Sequence, residues 1–486
     1  MDTLIDVLVP RLDLAWTARD WIVLHTILWL WRYVRLVVHC VSHWRYRSIT
    51  PQEKPALTSD DVTVIIPTIH NRFQELQGSL ETILACRPAK LILVTTWNKH
   101  EALEQVAAAL RRSPAGCARP TAIEVLHVDK ANKRLQVCKA LEEDHVQTPI
   151  TVMADDDVEW PPTLMPWILA PFADKKIGGV GTCQRVKRID GDLATRVYNW
   201  LGAAYIERRN FEISATHNID GGTSCMSGRT GAYRTEILKS YDFLGGFKNE
   251  KWGKYILNAD DDNFVTRWLV THHWKTWIQY HPECEVETTL ETSIKFLYQC
   301  SRWARSNWRS NWTSLVHERF VWRQQMWCTY ALHLATFTSL AFITDPLMLY
   351  SCWRATENLA PSHRHLVLAA EILFMFAFTK VVKLVGLFRR NPADLVFLPV
   401  SILFGYFHGL IKLHALFTLK ETSWGSREDG DEHNTYRLQE KPRRSQSMTT
   451  PSGPDLSDSI RNVRSSLPSP KHEFGGRPVT LKHSIP

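Results

Sequence analysis

Three consecutive aspartates, Asp155, Asp156 and Asp157, follow an apolar run at residues 149–154. A β-branched run of that length predicts a buried strand, so the carboxylates stand where a strand ends. Three adjacent carboxylates repel one another when all are charged. Either a nearby cation stabilises their charges, or at least one of them has a raised pKa and stays protonated. A hard divalent ion that bridges protein oxygens and a diphosphate fits this cluster. The alternative is a solvated acidic turn, because aspartate is common in turns.

A second acidic cluster, Asp260, Asp261 and Asp262, stands just before a helical pattern over residues 264–271. Acidic side chains suit a helix N-terminus, so a helix cap is the structural alternative. A cap needs one carboxylate, however, and three occur here in a row. The cluster is therefore a second candidate for chemistry.

A third candidate, Gln299, Arg302 and Trp303, lies in residues 296–312, where arginines and tryptophans recur at helical spacing. On spacing alone, the stretch also fits an amphipathic helix that rests on a membrane surface with aromatic and basic anchors.

Strands and helices alternate in the first part of the chain, which predicts a parallel sheet with helices on both faces. In such sheets the ligand crevice lies beyond the carboxyl ends of the strands, and Asp155 stands at such an end. The predicted strands are residues 62–68, 91–95, 123–128 and the run before Asp155, and the predicted helices are residues 75–85, 101–112 and 132–141.

The chain has 486 residues, a formal net charge of +8 and ten cysteines. Its length predicts at least two structural units. The basic residues are scattered and flank apolar stretches, which favours a membrane surface over nucleic acid as the partner. The cysteines form no CxxC pair, so we expect reduced thiols in a protein that faces the cytosol.

Residues 21–41 are apolar enough to insert into a bilayer, although Arg32, Arg35 and His39 fall on one helical face. The segment either spans the bilayer with its basic end snorkelling or lies in the interface. The basic residues that follow it predict a cytosolic domain after it.

Three more apolar stretches are each long enough to cross a bilayer. Ionisable groups at that depth usually face a protein interior or a wet passage. We expect Lys380 and Lys383 to snorkel near a helix end, and Glu371 and His408 to be better candidates for a polar passage. The stretches are residues 326–353, 366–388 and 395–419.

Three full crossings would place the C-terminal tail outside, whereas its basic residues predict the inside. The alternatives are an interfacial or re-entrant stretch, or a concealed second crossing, and Asp345-Pro346 marks the first stretch as the candidate. Residues 427–486 are rich in Ser, Pro, Arg and Lys, which predicts disorder.

In chain order, these residues resemble the motif series of family-two inverting glycosyltransferases with a GT-A fold. The likeness is greatest to the membrane-embedded, processive branch of hyaluronan, cellulose and chitin synthases, and within it to short fungal type 2 glycosyltransferases. It covers about residues 62–427. One departure is at Thr95-Thr96-Trp97-Asn98, where the family usually has an acidic residue. The matching residues are Ile65-Ile66-Pro67-Thr68, Asn132-Lys133-Arg134, Asp155-x-Asp157, Ser227-Gly228 to Tyr233-Arg234, Asp261-Asp262, Gln299-x-x-Arg302-Trp303 and Trp424-Gly425-Ser426-Arg427.

The resemblance implies a role for each motif. Asp155 and Asp157 would hold Mg²⁺ or Mn²⁺ against the diphosphate of a UDP-sugar donor. Asp262 would be the base for the acceptor hydroxyl, with Asp261 as the alternative. The remaining assignments are Pro67, Thr68, Lys133, Arg134 and Asp156 for the donor, Gln299, Arg302, Trp303, Gly221, Gly222, Ser227 and Gly228 for the glycan acceptor or product, and Trp424 and Arg427 for gating.

The family implies a cytosolic α/β GT-A domain with a Rossmann-like, mostly parallel sheet, plus α-helical transmembrane segments, in the plasma membrane. The expected activity is processive transfer from a UDP-sugar to a growing polysaccharide, which the membrane segments pass outward. The alternatives are a single transfer to a lipid such as ceramide or a polyprenyl phosphate, and a non-catalytic membrane scaffold. The expected segments are residues 1–50 (anchor or interfacial helix), 58–295 (catalytic domain), 296–325 (interfacial helices), 326–420 (transmembrane helices) and 421–486 (gating-like segment and basic tail).

Overall fold

A seven-stranded, mostly parallel sheet forms the centre of the catalytic part of the chain. The structure is a computed structural model that describes residues 16–70, 73–112, 121–142 and 144–422. The sheet has the order β11-β6-β8-β4-β1-β2-β3, and a smaller sheet has the order β5-β12-β7. The strands are β1 Val62–Pro67, β2 Lys90–Thr96, β3 Ala122–Val128, β4 Ile150–Ala154, β5 Val158–Glu159, β6 Ile177–Thr182, β7 Gln184–Val186, β8 Thr230–Arg234, β9 Lys251–Trp252, β10 Tyr255–Ile256, β11 Lys275–Gln279 and β12 Val286–Thr288.

Fourteen helices are named below, and several short one-turn helices connect them. They are α1 Ala18–Arg45, α2 Gln77–Ala85, α3 His100–Arg112, α4 Lys133–Glu142, α5 Leu164–Leu169, α6 Leu193–Asp220, α7 Thr235–Leu238, α8 Tyr241–Asn249, α9 Asp261–Thr271, α10 Lys295–Trp312, α11 Met326–Thr338, α12 Ala341–Ala355, α13 Pro361–Arg390 and α14 Pro392–Phe417.

The predicted strand–helix alternation is confirmed by the structure. β1 pairs in parallel with β2 and β4, and β2 pairs in parallel with β3. Every residue of β1 is buried, because helices cover both faces of the sheet: α2, α3 and α5 on one face, and α4, α8 and α9 on the other. β8 runs antiparallel to both β4 and β6, which makes the sheet mixed. This is the GT-A arrangement.

The loop with the three aspartates is fixed at both ends by hydrogen bonds between strands. β4 ends at Ala154, and the backbone N–H of Asp155 donates to the Arg229 carbonyl at 3.0 Å, just before β8. β5 begins directly after Asp157 and pairs with β12 of the smaller sheet. The two sheets together therefore hold the carboxylates at the edge where the parallel strands end.

Three helices among the described residues, α1, α13 and α14, are long and apolar enough to span a bilayer. α11 and α12 pass the same test together but meet at a 91° bend. The bend falls between Thr338 and Ala341, upstream of Asp345-Pro346, and Pro346 lies inside α12. The expected irregularity of the first apolar stretch is therefore present, although the proline does not mark its position.

Three basic residues of the apolar helices face protein partners, so the snorkelling expected for Lys383 is wrong. Arg32 pairs with Asp345 at 2.5 Å, and Arg35 donates to the Ala331 carbonyl at 2.9 Å. On α13, Lys383 pairs with Glu212 of α6 at 2.5 Å. A long helix that does not itself qualify as a membrane span, α6, thus supplies polar partners to the apolar helices.

Candidate active site

Both acidic clusters and the Gln299–Trp303 motif line one cavity of about 1140 Å³. Three elements bring them together: the end of β4 carries Asp155, the first turn of α9 carries Asp261 and Asp262, and α10 carries Trp303. Carboxyl ends of parallel strands form such crevices in α/β folds. The convergence of the two clusters, expected from the family resemblance, is therefore present in the fold.

Lys133, at the start of α4, connects the two clusters directly. Its ammonium lies 2.7 Å from Asp155 Oδ1 and 2.8 Å from Asp261 Oδ2. The Lys133 side chain is only 9% exposed, so water screens these ion pairs weakly. Burial lowers the pKa of Lys133, but the charges of Asp155 and Asp261 outweigh it and raise that pKa. Lys133 is therefore a fixed positive charge between the clusters.

Asp261 and Asp262 are adjacent in sequence but differ in their surroundings. Burial opposes ionisation of Asp261, yet the Lys133 ammonium outweighs it and lowers its pKa. Burial and the neighbouring Asp261 charge raise the pKa of Asp262. Asp262 Oδ2 accepts a hydrogen bond from the Gly228 backbone N–H at 3.3 Å. A carboxylate with a raised pKa at a cavity wall suits proton abstraction, whereas a carboxylate paired with lysine suits charge placement.

The three aspartates after β4 have different partners. Asp156 is buried, and its Oδ2 accepts a hydrogen bond from the Thr68 hydroxyl at 2.5 Å. Asp157 Oδ2 accepts from the Thr289 hydroxyl at 3.4 Å. Asp155 and Asp157 thus bracket a buried aspartate that accepts a hydrogen bond from Thr68 and also lines the cavity.

The carboxylates of the cavity are the candidate ligands for a divalent cation. Among the described residues, no group of three or more His, Cys, Asp or Glu side chains is arranged to hold a metal ion. Magnesium is commonly bound by one or two carboxylates together with substrate phosphates. Asp155 and Asp157 both line the cavity and offer oxygen ligands of that kind. The chemistry of these residues therefore fits a cation that arrives with a diphosphate.

Several predicted contact residues do not line the cavity. Pro67 ends β1, and the Thr68 hydroxyl donates a hydrogen bond to Asp156. Arg134 is 1% exposed and donates to the carbonyls of Phe247 and Ala259, both at 2.9 Å. Arg134 therefore fixes the segment that leads into α9, a structural role that sequence spacing did not separate from donor binding.

Gly221 and Gly222 also lie away from the cavity wall. Gly221 ends α6 with a φ of 72°, a left-handed conformation that favours glycine. A Cβ on Gly222 would lie 2.5 Å from Cys328 Cβ. Both glycines therefore serve the junction of α6 with α11, whereas Ser227 and Gly228 line the cavity as expected.

Gln299, Arg302 and Trp303 line the cavity from α10. The Trp303 ring lies 5.2 Å from the Tyr205 ring, and the Arg229 guanidinium lies 5.6 Å from the Trp303 ring centroid. Gln299 Oε1 and Arg302 Nε are buried without a hydrogen-bond partner among the described residues. Burial lowers the pKa of the Arg302 guanidinium. Unpaired polar atoms of this kind favour a polar ligand at this wall.

Sequence reasoning missed the group that holds the start of α9. Asp260 has a φ of 66°, and its carboxylate accepts hydrogen bonds from Ser306 and from Arg309 Nε, the latter at 2.8 Å. Arg309 Nη1 also donates to the carbonyls of Leu419 and Glu421, just after α14. The sequence does contain one indication that Arg309 lies near the site: it comes two helical turns after Arg302 and so near the same face of α10.

The cavity continues into the apolar helices. That part of the cavity is lined by Arg208, Lys380, His408 and Lys412. His408 therefore faces a polar cavity, as expected. Glu371 does not line the cavity. Trp424 and Arg427, expected to gate the donor site, lie outside the described residues, as does the basic tail.

One family model and several known proteins are similar to this chain. A family model described as "Glycosyltransferase like family 2" matches residues 59–306. A type 2 glycosyltransferase of Gibberella zeae is 65% identical over 446 residues, covering 92% of this chain and 83% of the relative. Human hyaluronan synthase 3 is 24% identical over 265 residues, covering 52% of this chain and 42% of that protein. A solved mannosyltransferase of Pyrobaculum calidifontis, in complex with GDP-mannose and Mn²⁺, is 16% identical and has a TM-score of 0.49, covering 83% of this chain and all of that one.

Proposed function

The chain belongs to the glycosyltransferase-like family 2 and is a glycosyltransferase, and we propose that it extends a polysaccharide processively from a UDP-sugar and passes the product through the membrane. The observation that carries this proposal is the continuous cavity. One end contains Asp155 and Asp262, and the other contains Lys412 and His408 of an apolar helix.

At the donor end, Asp155 and Asp157 would hold Mg²⁺ or Mn²⁺, which supplies positive charge next to the diphosphate leaving group. Lys133 adds a second fixed positive charge, placed between Asp155 and Asp261. Both features favour departure of UDP, because negative charge develops on the diphosphate as the glycosidic bond breaks.

At the acceptor side, Asp262 would take the proton of the attacking sugar hydroxyl. The hydroxyl oxygen forms a bond to the anomeric carbon, the bond from that carbon to the diphosphate oxygen breaks, and UDP leaves with the electron pair. Attack from the face opposite the diphosphate inverts the anomeric configuration and needs no covalent enzyme intermediate. The raised pKa of Asp262 supports this assignment over Asp261.

Trp303 would stack on the acceptor sugar, while Gln299 and Arg302 would donate or accept hydrogen bonds at its hydroxyls and at the diphosphate. Their buried, unpartnered atoms support this placement. Beyond Trp303, the cavity leads between α6, α13 and α14, a route that a growing glycan can occupy. Extrusion through an integral membrane protein follows naturally if the product leaves by this route.

The test is synthesis in membranes that contain the full chain. Labelled UDP-glucose, UDP-N-acetylglucosamine and UDP-glucuronate are supplied separately and in pairs with a divalent cation, and the product is sized. We expect polymer from at least one donor set, and none after chelation. A short, lipid-extractable product alone would replace the processive proposal by a single transfer to a lipid.

A further inference from the structure

The membrane part of the cavity is lined by cations from four different helices. Arg35 belongs to α1, Arg208 to α6, Lys380 to α13 and Lys412 to α14. One carboxylate, Glu212, lines the same region among the described residues. Helices α1, α13 and α14 are candidate membrane spans, where an ionisable side chain is costly and needs a polar partner.

The single carboxylate is already matched by another cation. Glu212 Oε1 lies 2.5 Å from Lys383 Nζ, and Lys383 does not line the cavity. The pair therefore contributes no net charge, and the four lining cations remain in excess. Burial opposes ionisation of Glu212, but Lys383 and Arg35 outweigh it and lower its pKa to about 2.

The groups that accept hydrogen bonds from the lining arginines are neutral. Arg35 donates to the Ala331 carbonyl at 2.9 Å, and Arg208 donates to the Ser401 hydroxyl. Within the described part of the chain, neither Lys380 nor Lys412 has a carboxylate within 4.0 Å. Burial also lowers the pKa of Arg208 to about 10, and the charge of Glu212 only partly opposes that shift.

Aromatic rings connect this basic region with the catalytic end. Trp303 lies 5.2 Å from Tyr205, and Tyr205 lies 5.8 Å from His408, between ring centroids. His408 Nε2 is buried without a hydrogen-bond partner among the described residues. The same passage therefore offers stacking surfaces, an unpaired ring nitrogen and excess positive charge to whatever leaves the catalytic end.

We propose that the acceptor, or the product that grows from it, is anionic, and that Arg35, Arg208, Lys380 and Lys412 hold its carboxylate or phosphate-ester groups in the membrane part of the cavity. Guanidinium and ammonium groups bind such anions through charge-assisted hydrogen bonds, most strongly where water is excluded. A neutral glycan would leave the four cations without counter-charge. This inference rests on the proposed function, because it names the substrate class of the same cavity.

Two sources of the anion share this chemistry: uronate residues in the glycan and the phosphate of a polyprenyl acceptor. Membranes that contain the full chain are given three mixtures: labelled UDP-N-acetylglucosamine alone, with UDP-glucuronate, or with dolichyl phosphate. An anion exchanger retains a uronate polymer after lipid extraction. A phosphate-linked product extracts into organic solvent and is released by mild acid.

We expect label in one of the two anionic products and little in the first mixture. Efficient synthesis of a neutral polymer in the first mixture would overturn this inference while supporting the proposed function. No transfer in any of these mixtures, and none from UDP-glucose either, would overturn the proposed function and this inference with it. The two failures are therefore distinguishable.

The variant Lys380→Met/Lys412→Met tests the cations directly. Anionic product should fall about tenfold or more, because each buried charge-assisted contact is strong. Lys380→Arg/Lys412→Arg keeps the charge and should keep most of the synthesis. Arg389→Met, which removes an exposed cation of α13 away from the cavity, should stay within about twofold.

A second substitution covers the case in which the double variant does not accumulate in membranes. Arg35→Met removes a guanidinium whose direct partner is a single backbone carbonyl, and Arg35→Lys keeps the charge. Arg35→Met should lower anionic product several-fold, with Arg35→Lys close to the unmodified protein. Equal synthesis by the methionine variants and the unmodified chain would refute the inference.

Discussion

The two ends of the cavity have opposite charge and opposite origins. At the catalytic end, Asp155, Asp157, Asp261 and Asp262 come from two continuous sequence runs, each at the end of a strand or the start of a helix. At the membrane end, the lining cations come one from each of four helices. The acidic end is suited to a metal ion and a proton, and the basic end to an anion. Chemistry concentrated at a strand end is visible in the sequence, whereas a charge assembled across helices is visible only in the fold.

The largest expected effect falls at the acidic end. Asp262→Asn should lower sugar transfer by about 10³-fold, because the acceptor hydroxyl loses its general base. Asp261→Asn should lower it by about tenfold, since Asp261 keeps Lys133 in place and does not take the proton. Incorporation of label from the UDP-sugar into product measures both.

The order of the two effects is the decisive result. A larger loss in Asp261→Asn than in Asp262→Asn would reverse the two roles, and unimpaired transfer in both variants would remove this pair from the mechanism. Donor binding, followed by displacement of a labelled nucleotide, should be close to normal in Asp262→Asn. This control separates a chemical defect from a folding defect.

The second prediction concerns the cation that connects the two acidic clusters. Lys133→Met should lower transfer by about 10²-fold, because Asp155 and Asp261 lose their shared ammonium. The base must be ionised to accept a proton, so activity rises with pH through the pKa of Asp262. Lys133 lowers that pKa, and its removal should therefore move the acid limb of the pH–rate profile to higher pH.

Lys133→Arg is the matched control because it keeps the charge. Its acid limb should stay closer to that of the unmodified protein than the limb of Lys133→Met. An acid limb that moves to lower pH in Lys133→Met would contradict the electrostatic account. An unchanged pH–rate profile would show that Lys133 does not affect the pKa of the proton acceptor.

Much of the catalytic end was predictable from the sequence. The alternation of strands and helices placed Asp155 at a strand end, and motif order brought Asp262 and Trp303 to the same pocket. The role of Arg134 was not predictable, because its neighbour Lys133 faces the cavity while Arg134 turns to the carbonyls of Phe247 and Ala259. Adjacent residues of a helix point in different directions, and only packing decides which one meets the ligand.

The basic end was misread for a related reason. In the sequence, Lys383 lies near the end of an apolar stretch, and the usual rule predicts that such a lysine extends to the membrane surface. Its partner, Glu212, lies on α6, 171 residues earlier in the chain. Sequence patterns report local periodicity, whereas this pair depends on which helices become neighbours.

The third prediction tests whether α10 positions the acidic end. Arg309→Met should lower kcat by about tenfold, because Asp260 would lose the guanidinium that fixes the turn before Asp261. KM for the donor should change little, since Arg309 does not line the cavity. Arg305→Met is the matched control: it removes an arginine one turn away that pairs with the half-exposed Glu421.

A rise in donor KM with unchanged kcat in Arg309→Met would show that Arg309 acts on binding and not on the position of α9. Equal effects of Arg305→Met and Arg309→Met would indicate a general loss of helix packing. Arg309→Lys should recover less than half of the loss, because lysine cannot bond Asp260 and the carbonyls of Leu419 and Glu421 at once.

The smallest expected effect on activity concerns the ion pair between Glu212 and Lys383 at the basic end. In Glu212→Gln/Lys383→Met, a carboxylate and an ammonium disappear together, so the excess of four lining cations is kept and the amount of anionic product should stay within about twofold. Glu212→Gln alone leaves Lys383 without its partner, and its thermal stability should fall below that of the double variant. Because the pKa of Glu212 is lowered to about 2, its carboxylate stays charged above that value, and its contribution to stability is lost only as the pH falls toward it. If Glu212→Gln/Lys383→Met lost as much anionic product as Lys380→Met/Lys412→Met, the passage would depend on its polar lining in general. The contrast between an acidic end and a basic end would then lose its functional meaning.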